Sequence, residues 1–587
     1  MKNQDVAGIF RDVANILELK GDNPFRIRAY ARAALTIESL TQDLDALIHD
    51  DMLQSLPGIG VDLAAKIKEI VATGKLSYYE RLQKEIPPGL VQMLAIPSLG
   101  PKTVKSIYDA LGIDTVRKLE AAARAGKLRV VEGIKEKTQE NIIKGIAILK
   151  QGRERVPLSF ALGLANEFAV RLNSIKEVDA LEVAGSLRRR KDTIKDIDIL
   201  LVSKKPSVVM NTFVALPLVK QVLAHGETKS SVIAGEHSMQ VDVRVVSSEN
   251  FGSALMYFTG SKEFNITMRQ LAITYGCKIN EYGVFRVKGK KEQWVAGKTE
   301  EDIFSFFDMG YIAPELREDR GEVLAARAHK LPLLIELDDI KGDFHVHSKY
   351  SDGTAEISDI AAVAARRGYK YIGICDHSMS LKIAGGLSVR QVHKKIAEIR
   401  ALNRTSVTRL LAGTEVDIDS RGVLDYPESV LREFDLVVAA IHSGFKQSKA
   451  QITRRLVAAC KNKAVNIIAH PTGKLWGMRE PYDFDLQEVL RAAADNNVAM
   501  EINCHPQRID LNDIAAMRAK KFGVKISLGT DAHTLDQLSS IELGVTTARR
   551  AWLTKHDVIN SMGYEVLTQW LKKRLKNADE ANVSRSG

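Results

Sequence analysis

Cysteine is scarce in this chain of 587 residues. The four cysteines are Cys277, Cys375, Cys460 and Cys504, and none of them belongs to a CxxC pair. Zinc ribbons use CxxC pairs, and disulfide frameworks are typical of short, cysteine-rich secreted chains. The spacing therefore argues against both classes and predicts that the thiols are reduced.

Long apolar runs are also missing, although hydrophobic residues make up 45% of the chain. No run approaches the ~20 consecutive apolar residues that a helix needs to cross a bilayer. The first 24 residues have the spacing of an amphipathic helix that contains acidic and basic residues, without the uninterrupted apolar core of a signal peptide. We therefore expect a cytoplasmic protein without a membrane partner.

The length and the charge of the chain are informative in a general way. Because single domains usually contain about 100–200 residues, the length predicts about three to five domains. The formal net charge is +11 and the sequence pI is about 9.2. This balance suits a phosphate-backbone partner, but many ordinary basic proteins share it. Charge alone therefore favours nucleic acid only modestly.

The hydrophobic pattern changes twice along the chain. Residues 1 to about 150 have helical patterns separated by glycine-containing turns, whereas β-type runs such as LEVAG, DIDILLV and MQVDVRVV begin at Leu181. After residue 341, short β-type runs such as YIGICD and LLAGTEVDI alternate with helical segments. The pattern predicts an all-α front, an α+β middle and a barrel-like α/β end, with the main boundary between residues 315 and 340.

Two segments of the front share one pattern. LPGIGVDLAAKI (56–67) and IPSLGPKTVKSI (96–107) both have a proline and a glycine before a helix, and VEGIKEKTQENI (131–142) is a weaker third copy. They resemble helix-hairpin-helix motifs. Gly58, Gly60 and Gly100 are predicted to expose backbone N–H groups that bind a DNA phosphate without reading a base. A single such glycine more often ends a helix, but the repeated spacing favours DNA contact.

Three carboxylates mark the middle of the chain. In AGSLRRRKDTIKDIDILLV (184–202), Asp196 and Asp198 alternate along a strand and therefore share one face. Asp242, in MQVDVRVV, is predicted to lie on a neighbouring strand. Together with substrate phosphates, three carboxylates can bind two Mg²⁺ or Mn²⁺ ions. The alternative is that these acidic residues are merely solvated, and the DxD pattern alone does not decide between the two.

The ordered set GSLRR…DID, VDVR, YFTGSKEFNITMR and INEYGVF resembles the nucleotidyltransferase core of DNA polymerase beta and other family X DNA polymerases. The resemblance extends over residues 1 to about 315. It implies a template-directed DNA polymerase that uses dNTPs on gapped or nicked double-stranded DNA. It also implies site residues: Asp196, Asp198 and Asp242 as catalytic metal ligands, Arg155, Gly185, Ser186 and Arg189 near the triphosphate, Tyr257, Phe258 and Gly260 along the sugar, Asn265 at the incoming base and Arg269 at the template.

The chain departs from this family pattern at several positions. Ile194 and Lys195 replace a Ser-Gly pair of the animal enzymes, and Gln240 replaces an arginine before the third aspartate. Lys66 matches the Schiff-base lysine of the family's deoxyribose-phosphate lyase domain, but Asp62 and Arg26 stand where the animal enzymes have supporting lysines. Since a lysine on a helix is usually just solvated, lyase activity stays an open hypothesis.

The last part of the chain is rich in histidine and carboxylate residues at the ends of β-type runs. DFHVHSKYSDG introduces His345, His347 and Asp352. The other members are His377, Glu415, His442, His470, Asp531 and His533. In a βα barrel the strand ends gather at one mouth, so residues far apart in sequence can form one cluster. A lone histidine is more often an ordinary packed or surface residue, but most of the chain's 13 histidines lie in this half.

This pattern resembles the PHP (polymerase and histidinol phosphatase) family, whose fold is a distorted seven-stranded (β/α) barrel that binds three metal ions. The resemblance implies a first ion at His345, His347, Glu415 and Asp531, a second at Glu415, His442 and His470, and a third at Asp352, His377 and His533. Imidazole and carboxylate ligands fit Zn²⁺ or Mn²⁺ better than Mg²⁺. The implied reaction is phosphoester hydrolysis.

The predicted domains follow from both resemblances: a helical 8-kDa-like DNA-binding and lyase-like domain (1–85), a helix-hairpin-helix fingers-type domain (86–150), a palm (151–260), a nucleotide-selection thumb (261–315), a linker (316–340) and a PHP domain (341–575). We expect a monomeric repair polymerase for short gaps in base excision repair. Its barrel is expected to act as a 3′→5′ exonuclease, and AP endonuclease and 3′-phosphatase activities are left open. The alternative is a DNA-binding PHP nuclease with only vestigial polymerase activity. A small-molecule phosphatase is a third hypothesis, which the DNA-binding hairpins disfavour.

Overall fold

A computed structural model describes residues 3–38, 44–49, 51–56, 58–94, 96, 99–150, 155–289, 291–476 and 478–572. Over these residues the chain forms a helical front, a mixed α/β middle and a seven-stranded barrel, in the predicted order. Among the helices in these ranges, none combines the length and the apolar character that a bilayer crossing requires.

In the described part of the front, the chain forms nine α-helices: α1 (Asn3–Lys20), α2 (Pro24–Glu38), α3 (Leu44–His49), α4 (Val61–Thr73), α5 (Ser77–Lys84), α6 (Pro88–Met93), α7 (Pro101–Leu111), α8 (Val116–Arg124) and α9 (Glu136–Lys150). Apolar residues at helical spacing on α1, such as Val6, Phe10 and Val13, are fully buried. They form one hydrophobic core with α2 and α4, while α6 to α9 surround a second core that includes Ile107 and Leu119.

The middle contains a five-stranded sheet with the order β2-β4-β7-β6-β5. Its elements are β1 (Val156–Pro157), α10 (Leu158–Asn173), β2 (Ala180–Val183), α11 (Gly185–Arg188), β3 (Thr193–Ile194), β4 (Asp196–Val202), α12 (Pro206–Val214), β5 (Val219–His225), β6 (Lys229–Ala234), β7 (Met239–Val246) and α13 (Phe251–Thr259). Alternate residues of β7, from Met239 to Val245, are buried against α10 and α12. The polar residues between them, Asp242 included, therefore point to the opposite face.

The next segment adds a three-stranded antiparallel sheet and leads into the barrel. Its elements are α14 (Lys262–Thr274), β8 (Cys277–Asn280), β9 (Gly283–Lys288), β10 (Lys291–Ala296), α15 (Glu300–Phe306) and α16 (Glu322–Arg327). Residues 316–340, which the sequence suggests as a linker, are folded: Leu316 and Val323 pack in the core of this segment, whereas Ile335 and Ile340 pack in the core of the barrel.

The barrel alternates strands and helices: β11 (Gly342–Val346), α17 (Ile357–Arg366), β12 (Tyr371–Ile374), α18 (Val389–Leu402), β13 (Arg409–Asp417), α19 (Glu428–Leu431), β14 (Leu436–Ala440), α20 (Lys449–Lys461), β15 (Ile467–Ile468), α21 (Leu486–Asp495), β16 (Ala499–Asn503), α22 (Asp513–Lys521), β17 (Ile526–Gly529) and α23 (Ile541–Arg550). The seven strands are parallel and lie side by side in chain order. Two hydrogen bonds nearly close the barrel, from the Asp531 N–H to the His345 carbonyl (2.8 Å) and from the His347 N–H to the Ala532 carbonyl (2.9 Å).

Candidate active sites

Three segments of the front share one backbone hydrogen bond. In each, an N–H donates to the carbonyl three residues earlier: Ile59 to Leu56 (3.1 Å), Leu99 to Ile96 (3.1 Å) and Ile134 to Val131 (3.0 Å). Each of these segments leads directly into a helix, which is α4, α7 or α9. The third copy, which is weaker in sequence, thus has the same hydrogen bond before its helix as the other two.

The glycines in and after these segments have different backbone conformations. Gly58 has a φ of +81°, in the left-handed region that favours glycine. Gly60 and Gly100 are exposed and have extended conformations before the first residues of α4 and α7. A methyl group added at Gly60 or Gly100 would have no described heavy atom within 4 Å. The space in front of both helix N-termini is therefore open to a phosphate.

Lys66 lies on α4 beside an acidic residue and two aromatic rings. Its side chain is 17% exposed, and its ammonium contacts the Asp62 carboxylate. The Nζ atom lies 5.5 Å from the ring centroid of Tyr78 and 5.9 Å from that of Tyr30. Burial raises the pKa of the Tyr30 hydroxyl above its usual range, so this ring is a neutral neighbour. Lyase activity at Lys66 stays a prediction.

The three aspartates of the middle lie on one face of the five-stranded sheet. Asp198 is directly opposite Asp242 in the parallel pairing of β4 with β7, and Asp196 lies two residues before Asp198. The Nε2 atom of Gln240 donates to Oδ1 of Asp242 at 2.8 Å. A methyl group at Gly185 would lie only 2.3 Å from Oδ2 of Asp198, so this close approach requires glycine.

The charges of these carboxylates oppose one another. Burial, followed by the charges of Asp196 and Asp242, raises the pKa of Asp198 to about 7. Like charges held this close are unfavourable unless cations neutralise them, and carboxylate oxygens are the preferred ligands of Mg²⁺. The donor set therefore fits divalent cations. The tighter clusters among the described residues, with at least three ligand atoms within 4.8 Å of one another, all lie in the barrel.

The two arginines expected at the triphosphate, Arg189 and Arg155, lie in different surroundings. Arg189 contacts the carbonyl of Thr259 and donates from Nε to Oε1 of Glu318 at 3.0 Å. A methyl group at Gly260 would lie 3.2 Å from Nη1 of Arg189, so Arg189 adjoins the turn after α13. Arg155, in contrast, donates to the Thr193 hydroxyl at 2.9 Å. Ser186 is half-buried in α11, directly after Gly185.

The residues expected around the sugar and the bases lie close together. The side-chain amide of Asn265 donates to the carbonyl of Tyr257 at 2.7 Å, and the guanidinium of Arg269 lies 5.5 Å from the Tyr257 ring centroid. The rings of Tyr257 and Phe258 meet edge to face at 5.1 Å. Arg244 covers Phe258 at 4.6 Å. These contacts join α13 to α14 beside the aspartates.

All nine barrel residues predicted as ligands meet at the mouth formed by the strand ends. Glu415 is at the centre: its carboxylate lies 2.8 Å from Nδ1 of His377, 3.1 Å from Nε2 of His442 and 2.8 Å from Nε2 of His470. Its side chain is 1% exposed. A buried carboxylate shared by several imidazoles is suited to bridge cations.

Two aspartates organise the rest of this cluster. Asp352 lies 3.5 Å from Nδ1 of His347, 3.4 Å from Nε2 of His377 and 3.3 Å from Nε2 of His533. Asp531 lies 3.2 Å from Nε2 of His347 and 3.7 Å from Nε2 of His345. Three sets of ligand atoms lie within 4.8 Å: His347, Asp352, His377 and His533; His345, His347 and Asp531; and His377, Glu415 and His442.

Several atoms of the cluster are buried without a hydrogen bond. Nε2 of His345, both ring nitrogens of His347 and Oε2 of Glu415 have no hydrogen-bond partner among the described residues. Such atoms are costly in a folded protein unless a ligand satisfies them. Imidazole nitrogens and carboxylate oxygens are ligands that divalent metal ions take.

The pKa values of several side chains in the cluster are strongly shifted. Burial opposes a charge on His345, but Glu501, Glu415 and Asp531 raise its pKa well above the ordinary value. Burial and the neighbouring His377 lower the pKa of His347 to about 4. Although burial acts in the opposite direction, the surrounding histidines hold the pKa of Glu415 well below its usual range. Opposite shifts on adjacent imidazoles are typical of a functional centre.

Three residues outside the predicted ligand set support the cluster from behind. Glu501 accepts from His345 at Nδ1 (2.7 Å), Asp417 lies 3.2 Å from Nδ1 of His442, and Nε of Arg508 lies 3.1 Å from Oδ2 of Asp531. Glu501 and Asp417 lie near strand ends, so the pattern that identified Glu415 could have found them. Carboxylates in these positions orient imidazole ligands. Arg508 lies in a loop without such a signal.

A palm-like sheet with three aspartates and a histidine-rich parallel barrel define a nucleotidyltransferase joined to a phosphoesterase. The chain matches family models described as a helix-hairpin-helix domain (residues 1–76), a SAM-like helix-hairpin-helix tandem (91–147), a DNA polymerase beta thumb (254–318) and a PHP domain (343–505). The chain is 38% identical over 575 residues to the DNA polymerase/3′-5′ exonuclease PolX of Bacillus subtilis. The aligned region covers 98% of this chain and 100% of that protein.

Other relatives match single parts of the chain. DNA polymerase lambda of Rattus norvegicus is 24% identical over 334 residues, which are 52% of this chain and 54% of that protein. A probable phosphatase of Thermoanaerobacter sp. (strain X514) is 29% identical over 235 residues, or 37% and 89% of the two chains. The protein therefore belongs to the family X DNA polymerases that carry a C-terminal PHP domain, and the predicted fold class is confirmed.

Proposed function

We propose that this protein fills short gaps in DNA during base excision repair and shortens 3′ ends with a separate, metal-dependent nuclease site. The observation that carries the proposal is that one chain holds two separate groups of candidate ligands, the three aspartates on β4 and β7 and the nine residues at the barrel mouth. The Bacillus subtilis relative is named for both activities.

In the polymerase site, Asp196, Asp198 and Asp242 would hold two Mg²⁺ or Mn²⁺ ions. When bound, such ions favour attack by a primer 3′-hydroxyl and neutralise the departing pyrophosphate. Arg189, next to the turn at Gly260, offers a guanidinium to the triphosphate. Arg155, Gly185 and Ser186 complete this proposed substrate side. Tyr257, Phe258, Asn265 and Arg269 form the proposed surface for the sugar and the bases.

In the nuclease site, the nine barrel residues would hold three Zn²⁺ or Mn²⁺ ions, which supply hydrolysis of a phosphodiester when they are bound. Glu501 and Asp417 hold the Nδ1 atoms of His345 and His442, which leaves the Nε2 atom of each ring directed toward Glu415. The partial likeness to a probable phosphatase is compatible with removal of 3′-phosphates. AP endonuclease activity and the lyase role of Lys66 belong to the same proposal.

The proposal also includes the domain boundaries at residues 85, 150, 260, 315 and 340 and a monomeric, cytoplasmic protein that acts on DNA. Residues 316–340 pack against the cores on both sides, so this connection would hold the thumb close to the barrel.

A gapped duplex with a 5′-labelled primer tests both activities in one experiment. With dNTPs we expect the primer to lengthen until the gap is filled, and without dNTPs we expect it to shorten from its 3′ end. After chelation, Mn²⁺ should restore shortening better than Mg²⁺, because a histidine-rich cluster suits the softer ion. Shortening without any lengthening would support the vestigial-polymerase alternative, and the absence of both reactions would contradict the proposed function.

The hairpin turns predict how the protein binds DNA. Affinity for gapped DNA should fall steeply with salt, because each neutralised phosphate releases counterions. The double change Gly60→Ala/Gly100→Ala adds methyl groups only to open space, so it should lower affinity severalfold without changing base preference. Binding is measured by fluorescence anisotropy at several salt concentrations.

The matched control is Gly8→Ala on α1, where an added methyl group also has no described neighbour within 4 Å. It should leave affinity unchanged. Gly58→Ala is less specific, because it also forces a residue with a side chain into the left-handed region. A flat salt response, or a change in base preference, would contradict the hairpin assignment.

A further inference from the structure

A buried ion-pair network joins the barrel to the turn beside the polymerase aspartates. Oε1 of Glu318 accepts hydrogen bonds from Nε of Arg189 and from Nη1 of Arg550, each at 3.0 Å. Arg550, the last residue of α23, also bonds Oδ2 of Asp513 at 2.7 Å and donates to the carbonyl oxygen of Arg189. Its side chain is only 4% exposed. A barrel residue thus holds both the main chain of Arg189 and the carboxylate that its side chain contacts.

The network contains more positive than negative charge. Arg320 bonds the same Asp513 oxygen at 3.0 Å, and Lys191 lies 3.7 Å from Glu318. Although burial acts in the opposite direction, Arg550 and Arg189 hold the pKa of Glu318 far below its usual range, so this carboxylate is ionised. Two carboxylates therefore neutralise three guanidiniums and one ammonium only in part. A positive excess beside Gly260 suits a polyanionic ligand.

Glu318 accepts hydrogen bonds from two arginines, and this limits its contact with Arg189. Because Arg550 bonds the same oxygen, Glu318 binds Arg189 through a single shared atom. Arg190, the next residue, has a φ of +56°, so the chain leaves α11 in a conformation that few side chains favour. The hydrogen bond from Arg550 to the Arg189 carbonyl supports the main chain at this point.

We propose that Arg550 is a positioning residue for nucleotide addition: from the barrel, it sets the Arg189 guanidinium beside the turn at Gly260, where it binds the triphosphate of the incoming nucleotide. This inference rests on the proposed polymerase function. Without Arg550, Glu318 would pair fully with Arg189 and draw its guanidinium away from the triphosphate. The barrel is then part of the nucleotide site as well as the nuclease.

The test compares two neighbouring arginines of α23 in the full-length protein. Arg550→Met should raise KM for dNTP about tenfold, the effect of losing a charge-assisted hydrogen bond, with a smaller change in kcat. KM for gapped DNA and the rate of 3′→5′ hydrolysis should change less than about twofold. Arg549→Met is the matched control, because Arg549 bonds Glu315 and Glu336 at the same interface. It should leave KM for dNTP unchanged.

Two further variants separate positioning from general destabilisation. In the Arg550→Met protein, Glu318→Gln removes the charge that draws Arg189 away, so it should bring KM for dNTP part of the way back. Arg550→Lys keeps the charge but not the forked geometry, so its KM should lie between those of the wild type and Arg550→Met. If Arg550→Met does not fold, Arg550→Lys and Arg549→Lys are compared in the same way.

An unchanged KM for dNTP in the Arg550 variants, or equal increases in the Arg550 and Arg549 variants, would overturn the proposal. Failure of the proposed function looks different, because the wild-type protein itself would then not extend a primer.

Discussion

Replacing Asp198 with alanine is expected to abolish primer extension and to leave degradation of the 3′ end intact. Asp198 is paired with Asp242 across β4 and β7 and interacts with both other carboxylates, so the change removes a central carboxylate of the proposed cation site. Loss of a central ligand in a two-cation site should lower the extension rate by at least ~10³-fold. The loss should be seen on a gapped, 5′-labelled primer with each dNTP at saturating concentration.

The fold should tolerate this change. Burial and two neighbouring carboxylates raise the pKa of Asp198 to about 7, so its charge is unfavourable in the folded protein without cations. Thermal unfolding measured in a chelator should therefore show no loss of stability. Asp179→Ala, at an exposed aspartate just before β2, is the control and should extend primers normally. Primer extension that persists in Asp198→Ala would refute the assignment of the polymerase site.

Glu415→Ala and His345→Ala are expected to eliminate 3′→5′ hydrolysis while primer extension survives. Glu415 lies within 3.1 Å of three imidazoles, and His345 is fully buried with Nε2 facing the same space. Removal of either residue deletes a proposed metal ligand. Since changes to supporting residues alone reduce metal affinity or activity 10–100-fold, loss of a ligand should reduce hydrolysis by at least ~100-fold.

Metal content offers a readout that does not depend on activity. Mass spectrometry of the purified proteins should find less Zn²⁺ or Mn²⁺ in Glu415→Ala and His345→Ala than in the wild type. Glu428→Ala, which changes an exposed glutamate on α19 that pairs with Arg432, should behave like the wild type in both assays. If hydrolysis persists unchanged in both ligand variants after careful purification, the PHP assignment of this activity is wrong.

The two largest predictions are independent because their ligands come from different sheets. The aspartates lie on the five-stranded sheet and the histidine cluster lies at the end of the seven-stranded one. The Arg550 network nevertheless joins the two parts, through residues 361 positions apart. We therefore expect each chemistry to fail alone when its ligands are changed, and nucleotide binding to depend on the interface.

The sequence by itself determined the order of the parts and identified the candidate ligands. Alternation along β4 placed Asp196 and Asp198 on one face, and the position of histidines at strand ends predicted that they gather at one mouth. Both inferences use only the local period of a strand and the geometry of parallel strands.

Tertiary structure alone decided which side chains share a partner. Glu501 behind His345, Arg508 at Asp531 and Arg550 at Glu318 join segments that have no periodic relation in sequence. It also decided that residues 316–340 pack against both neighbouring cores and that the weak third hairpin has the same backbone hydrogen bond as the others. A hydrophobic pattern reports which face of an element is buried, but ion pairs across an interface depend on how separate elements pack.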